Sequence, residues 1–218
     1  MVLAIDINDV IRDNIWQFHH IYNKYVGTVD IEYEDVNSFN MMEVYPFNSE
    51  EELYRFKYEE YPYELYGRAE CCDKNLPYML NDWLEKTLRN LDEENIPHVI
   101  FFSPFEMGLT IQSTFAFLSG KGFRPREVYF PTNSLTIYDR ADIVITAQPS
   151  LIEECPEDKY VIKINKPYNK ECESLYSFDS MMSIINDKDE TIIKILENRI
   201  NKDKNESENG NERKLFVY

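Results

Sequence analysis

Three residue types could do chemistry here, and two of them are badly spaced for it. Cys71 and Cys72 are adjacent, while Cys155 and Cys172 stand alone, so no pair has the C-x-x-C spacing of a metal site. His19 and His20 are neighbours in a helical pattern, about 100° apart around its axis, and cannot pinch one metal. His98 opens an apolar run and reads as a buried, hydrogen-bonded structural histidine. The carboxylates remain. The first apolar run, Val2-Leu3-Ala4-Ile5, stops at Asp6 and continues as Ile7-Asn8-Asp9-Val10-Ile11-Arg12-Asp13.

The elements that must hold this segment can be read from the apolar pattern. Further short runs lie at His98-Val99-Ile100-Phe101-Phe102, Glu127-Val128-Tyr129-Phe130, Asp142-Ile143-Val144-Ile145 and Tyr160-Val161-Ile162-Lys163-Ile164. Helical patterns separate or follow them: Leu109 to Leu118, stopped by Gly120 and Gly122, then Met181–Ile185 and Ile192–Ile200. Short apolar strands alternating with helices predict an α/β fold, a Rossmann-like parallel sheet with helices on both faces.

The stretch between the first two strands is too long for a simple crossover. Ser49 and Glu52 spell a capping box, and Leu80, Trp83, Leu84, Leu88 and Leu91 mark an amphipathic helix. The expected organisation is a core of residues 1–13 and 95–200, a helical cap insertion of 14–94, and a polar tail of 201–218. The tail ends in the apolar tetrad Leu215-Phe216-Val217-Tyr218, which suits strand addition to a partner's sheet edge or docking on its own core.

Composition narrows the function classes. The chain has 218 residues and a formal net charge of −17, from 40 acids against 23 bases. That excludes a general phosphate-tracking nucleic-acid binder. No run approaches the roughly 18 apolar residues of a membrane span, and no secretory signal opens the chain. The thiols are therefore read as reduced, in the cytoplasm or in a virion. Only 6 glycines leave no room for a Gly-rich phosphate loop. Residues 30–95 hold 18 acids and 6 bases, so most of the surplus sits in or beside the insertion. This is either a solvated acidic face or a surface for a basic partner.

The segment Leu3-Ala4-Ile5-Asp6-Ile7-Asn8-Asp9-Val10 resembles the first motif, D-x-D-x-[TV], of the haloacid-dehalogenase-like hydrolase superfamily, and its deoxyribonucleotidase branch in particular. Ser103-Pro104 is similar to the second motif of that branch. Ala141-Asp142 before Ile143-Val144-Ile145, and Lys166-Pro167-Tyr168-Asn169 after the last strand, fall in the matching order. The resemblance covers roughly residues 2 to 186. It implies a carboxylate that attacks phosphorus and holds Mg²⁺, and a second carboxylate two residues on that moves the proton. It also implies a hydroxyl for the phosphoryl oxygens, a lysine, and acids completing the metal shell.

Carried over residue by residue, little of this survives. Asp6 matches the nucleophile and is the one candidate metal ligand. Asn8 stands at the acid/base position, where an amide cannot exchange a proton near neutral pH. Ser103 keeps the hydroxyl, but Phe102 replaces the threonine before it. No lysine lies between Lys86 and Lys121, or between Lys121 and Lys159, and Thr146-Ala147-Gln148-Pro149 replaces the metal acids. Loss of acid–base help costs about 10²–10⁴-fold in rate. Loss of one preorganised donor costs about 10²–10³-fold, and such losses are not additive.

Asp6, Asn8 and Ser103 are thus expected to be vestigial, in a degenerate nucleotidase-like domain kept for binding or assembly. No cofactor is expected, and the partners are proteins, met through the acidic cap and the tail, in an oligomer or larger assembly. Asn, Ile, Lys and Tyr are abundant, as in an AT-rich genome, which suits a subunit of a phage particle. The alternative is an active Mg²⁺-dependent phosphatase or 5′-nucleotidase working through an aspartyl phosphate on Asp6. A third reading keeps a nucleotide pocket lined by Tyr54, Tyr58, Tyr61, Tyr63, Tyr66 and Trp83, residues that equally suit packing of cap on core.

Overall fold

Val2–Asp6 (β1) runs through the middle of a six-stranded sheet, with Leu3 to Asp6 sealed from solvent. The computed structural model describes residues 1–27, 29, 32–86, 96–188 and 190–199. Its other strands are His98–Phe102 (β2), Glu127–Tyr129 (β3), Ile143–Thr146 (β4), Tyr160–Ile164 (β5) and Tyr176–Phe178 (β6). They lie in the order β3-β2-β1-β4-β5-β6, every pair parallel. The α/β, Rossmann-like expectation is met. β6 was not expected: its three residues alternate tyrosine, exposed serine and phenylalanine, too short for a pattern.

The register fixes what meets at the end of the sheet. Asp6 pairs with Phe102, and Ile5 with Ile145, so the segments after β1, β2 and β4 emerge side by side. The winding reverses at β1, which has β2 on one side and β4 on the other. Ligands of open α/β sheets gather at such a crevice, beyond the carboxyl ends of the strands. Asp6 stands there.

Leu109–Lys121 (α5) follows β2 and is closed by Gly122, whose φ of 87° is the left-handed cap a Cβ disfavours. Beyond β4 come the short helix Pro149–Glu153 and, later, Met181–Ile185; residues 191–199 are helical. Between β1 and β2 lie Asn14–Tyr25 (α1), Met41–Val44 (α2), Glu50–Arg55 (α3) and Leu76–Lys86 (α4), with π-helical turns at Phe56–Glu60 and Tyr63–Gly67. Ser49 caps its helix through Glu52 N, while the Glu52 carboxylate reaches back to Asn48 N at 2.7 Å rather than to Ser49. Leu80 and Trp83 are buried as expected; Leu88, Leu91 and the tail 201–218 lie outside the described residues.

The inserted helices share one apolar cluster with the sheet. Phe18, Tyr22, Tyr45, Phe47 and Phe56 join it and tile one another at ring-centroid distances of 4.9–6.2 Å. The insertion also returns to the loop after β1, with Asp13 N bonded to Glu70 O at 3.0 Å and Cys72 N to Ile11 O at 2.9 Å. No helix of the described residues is long and apolar enough to cross a membrane.

Candidate functional site at the end of the first strand

The loop after Asp6 is a tight knot. Arg12 N bonds to Ile7 O at 2.8 Å and Asp9 N to Arg12 O at 2.7 Å, which folds Asp9 into the left-handed region at φ 59°. That conformation is uncommon outside glycine, with Asp and Asn among the exceptions. Oδ1 of Asp9 accepts from Asn14 N at 2.9 Å and Ile15 N at 3.0 Å, capping α1, and Oδ2 accepts from Tyr168 Oη at 2.8 Å. Asp9 thus builds the loop; its carboxylate is fully engaged and turned toward α1. The Pro167–Asn169 turn that presents Tyr168 is pinned by Asn169, which donates to Ala147 O and Ile164 O at 2.8 and 2.9 Å.

The three residues predicted from sequence do come together. Oδ1 of Asp6 accepts from Asn8 N at 3.0 Å, and Asn8 Nδ2 donates to Ser103 Oγ at 2.9 Å. Oδ2 of Asp6 accepts from Thr146 Oγ1 at 2.7 Å. Asp6 is only 2% exposed. Burial raises its pKa to about 8, more than the Thr146 hydroxyl, the Asn8 amide and the nearby Arg12 lower it, and Asp9 adds to the rise. The rise favours the protonated carboxyl at neutral pH, which disfavours attack on phosphorus.

Next to this acid lies a buried salt bridge. Arg12 Nη2 meets Glu106 Oε1 at 2.6 Å, with both side chains essentially inaccessible. Every donor direction of the guanidinium is used. Nε and Nη2 reach Asn8 Oδ1 at 3.1 and 2.5 Å, and Nη1 reaches Thr114 Oγ1 at 2.6 Å and Tyr66 O at 3.1 Å. Its flat face lies 4.9 Å from the centre of the Tyr66 ring. Glu106 is held as completely: Ser103 Oγ donates to Oε1 at 2.5 Å and Thr114 Oγ1 to Oε2 at 2.6 Å. A buried pair survives only with such satisfaction, because desolvation otherwise exceeds the Coulomb gain. Asn8 and Ser103 therefore face Arg12 and Glu106.

Mg²⁺ asks for near-octahedral oxygens, carboxylates foremost. Asp6 ends β1 at the crevice, where both its oxygens already accept protein hydrogen bonds, and the neighbouring Asp9 carboxylate is taken up by Asn14 N, Ile15 N and Tyr168 Oη. After β4, Gln148 supplies an amide tied to Ser134 and Ser150 at 2.9 and 2.8 Å. No group of three His, Cys, Asp or Glu suited to a cation occurs among the described residues. The residues present do not fit the ion.

The other candidates lie elsewhere. Asp142 sits at the opposite end of β4, accepting from Val2 N at 2.8 Å. Lys121 pairs with Glu70 at 2.6 Å, away from Asp6. Lys166 stands by the Asp9 carboxylate: burial opposes its charge, but Cys72, Asp9 and Asp13 raise its pKa on balance. His98 is exposed rather than buried, a correction explained by its place at the rim of β2, where Nε2 meets Glu127 at 2.7 Å. Of the aromatic group, Tyr66 and Trp83 are buried, Tyr61 stacks on Tyr25 at 4.7 Å, and Tyr54 and Tyr63 face solvent.

No protein-family model matches the chain, and no curated protein does either. Among solved structures, a protein named as a haloacid dehalogenase-like hydrolase from Burkholderia xenovorans LB400 superposes with a TM-score of 0.48 at 9% identity. The match spans 87% of this chain and 96% of that one.

Sequence reasoning missed Arg12, Glu106, Thr114 and the Asp6–Thr146 contact. One signal was present. Glu106 is the sole formally charged residue from Ile96 to Gly120, a stretch otherwise fit for burial, and a buried acid needs a base. Arg12, inside Val10-Ile11-Arg12, is the matching signal on the other side.

Proposed function

We propose that this chain is a catalytically degenerate, hydrolase-like domain whose former reaction site serves as an internal structural joint, and that it works by binding or assembly. One observation carries the reading: the polar atoms of Asp6, Asn8 and Ser103 are satisfied by one another and by Thr146, Arg12 and Glu106. A phosphate ester entering the crevice would have to break that network before meeting a nucleophile. It would then meet a protonated Asp6 and an amide at the position expected to move a proton. The retained architecture joins β1, β2, β4 and α5 at one buried point, which is a structural role.

The binding side of the proposal rests on charge. Acids of the insertion such as Glu34, Glu43, Glu50, Glu51 and Glu59 are exposed. A basic protein surface is the matching partner, and a repeating particle such as a phage virion is one setting for it. The test starts with catalysis. Purified protein with Mg²⁺ should hydrolyse neither deoxynucleoside monophosphates nor p-nitrophenyl phosphate above a protein-free blank, and should not be trapped by beryllofluoride. Turnover that disappears in Asp6→Asn would overturn the reading in favour of an aspartyl-phosphate phosphatase.

A further inference from the structure

Glu106 is carried into the protein by a loop in which Phe105, Met107 and Gly108 face outward. It sits between Phe105 and Met107, which are 41% and 45% exposed, while Glu106 is 5% exposed. The backbone is bent hard to do this. Phe105 has φ 63°, in the left-handed region that disfavours an aromatic side chain. Gly108 has φ 55° and ψ −120°, a combination side chains avoid. The loop is tethered at one end by Phe105 N to Pro131 O at 3.0 Å, and at the other by the Thr110 hydroxyl, which accepts from Met107 N at 2.8 Å.

The receptor for the carboxylate belongs to other elements. Arg12 comes from the loop after β1, Thr114 from α5 and Ser103 from the end of β2, all 0% exposed. Their donors converge on the two oxygens, Arg12 Nη2 and Ser103 Oγ on Oε1 and Thr114 Oγ1 on Oε2. Lys57, on the inserted Phe56–Glu60 turn, adds positive charge nearby: burial lowers its pKa to about 8, and Glu106 partly offsets this. Such a convergence of charged and hydroxyl donors is how proteins bind a free carboxylate.

We propose that Arg12, Ser103 and Thr114 form a carboxylate-binding site that the chain fills with its own Glu106, and that the loop Pro104–Gly108 is a latch which a ligand carboxylate can displace. The proposal rests on reading the site as closed. The strained loop supplies a reason to open, and the exposed Phe105 and Met107 supply a handle that moves with Glu106. A ligand must outcompete a tethered group, so the wild type should respond only at high concentration.

Chemical rescue tests it. In Glu106→Ala, formate should raise Tm by about 3–5 °C for each tenfold excess over its Kd. Chloride at equal ionic strength should not. A folded Glu106→Ala protein that treats formate and chloride alike overturns the proposal. If that variant does not fold, wild-type hydrogen exchange decides: amides of residues 105–109 should exchange faster in 0.5 M formate, a concentration on the order of 10² above the millimolar effective concentrations of flexible tethers. Equal rates in formate and chloride would overturn it. Turnover of a phosphate ester would instead strike the proposed function and leave the carboxylate site standing.

Discussion

Asp6 and Glu106 are both buried acids at the same end of the sheet, yet their hydrogen-bond and charge partners differ sharply. Glu106 has a guanidinium at 2.6 Å and two hydroxyl donors. Asp6 has one hydroxyl and one backbone amide, and its pKa climbs to about 8. Arg12 is close enough to both to matter, but its donors are committed to Glu106, Asn8, Thr114 and Tyr66. The difference teaches that a strand-end aspartate is a nucleophile only if a positive charge is left over for it. Here the guanidinium of Arg12 is committed elsewhere.

The largest effect should come from breaking the pair. Arg12→Met or Glu106→Ala alone leaves an uncompensated buried charge and should cost about 3–5 kcal/mol in urea unfolding. The double variant Arg12→Met with Glu106→Leu replaces both charges by apolar groups and should recover most of that loss. Single variants within about 1 kcal/mol of wild type would show that the network is looser than its distances, and with it the contrast to Asp6 would fade.

How much of this could be read in the sequence differs between the fold and the site. Five of the six strands announce themselves because parallel strands buried on both faces are continuous apolar runs, as in Val99-Ile100-Phe101-Phe102. β6 does not: its Tyr176-Ser177-Phe178 is interrupted by an exposed serine, whereas the equally short edge strand β3 is extended by Phe130 into a Val128-Tyr129-Phe130 run. Asp6, Asn8 and Ser103 were legible as neighbours only through the resemblance of their segments to two motifs; the pairing of β1 with β2 brings them together. What they bond to was not. The Arg12–Glu106 pair spans 94 positions and two loops, and nothing local in either residue tells that the other is its partner. The role of Asp9 was not legible either: the turn that makes it a helix cap needs a left-handed residue, which spacing alone does not reveal.

A second measurement sharpens the contrast through pH. Asp6 has its pKa raised from the ordinary carboxyl range to about 8. Between those limits the folded chain holds a proton that the unfolded chain has released. Stability therefore falls as pH rises through this window and levels off above it. The Asp6 contribution should be on the order of 1 kcal/mol per pH unit between pH 5 and 7. Asp6→Asn, neutral at every pH, should remove that slope in urea titrations compared at matched pH. Glu106→Gln should leave it in place. A slope that persists in Asp6→Asn would mean that Asp6 ionises freely and that the two acids are alike after all.

Asp9 supplies the intermediate case, a buried acid held by three hydrogen bonds with a lysine nearby rather than in an ion pair with an arginine. Its carboxylate takes two amides at the start of α1 and the Tyr168 hydroxyl at 2.8 Å, with Lys166 nearby as a fixed cation. Removing the cap in Asp9→Ala should cost about 1–2 kcal/mol with no compensating gain, since alanine tolerates the φ of 59° less well than aspartate. Tyr168→Phe removes one of three donors and leaves the ring in place against Phe39, at a centroid distance of 5.4 Å. Its cost should be smaller, about 0.5–1.5 kcal/mol. Thermal unfolding of the two variants and their double mutant separates the contributions. If the double loses no more than Asp9→Ala alone, the tyrosine acts through the carboxylate. If the losses add, Tyr168 holds the Pro167–Asn169 turn independently, and three donors on one acid are no substitute for the single cation that Glu106 has and Asp6 lacks.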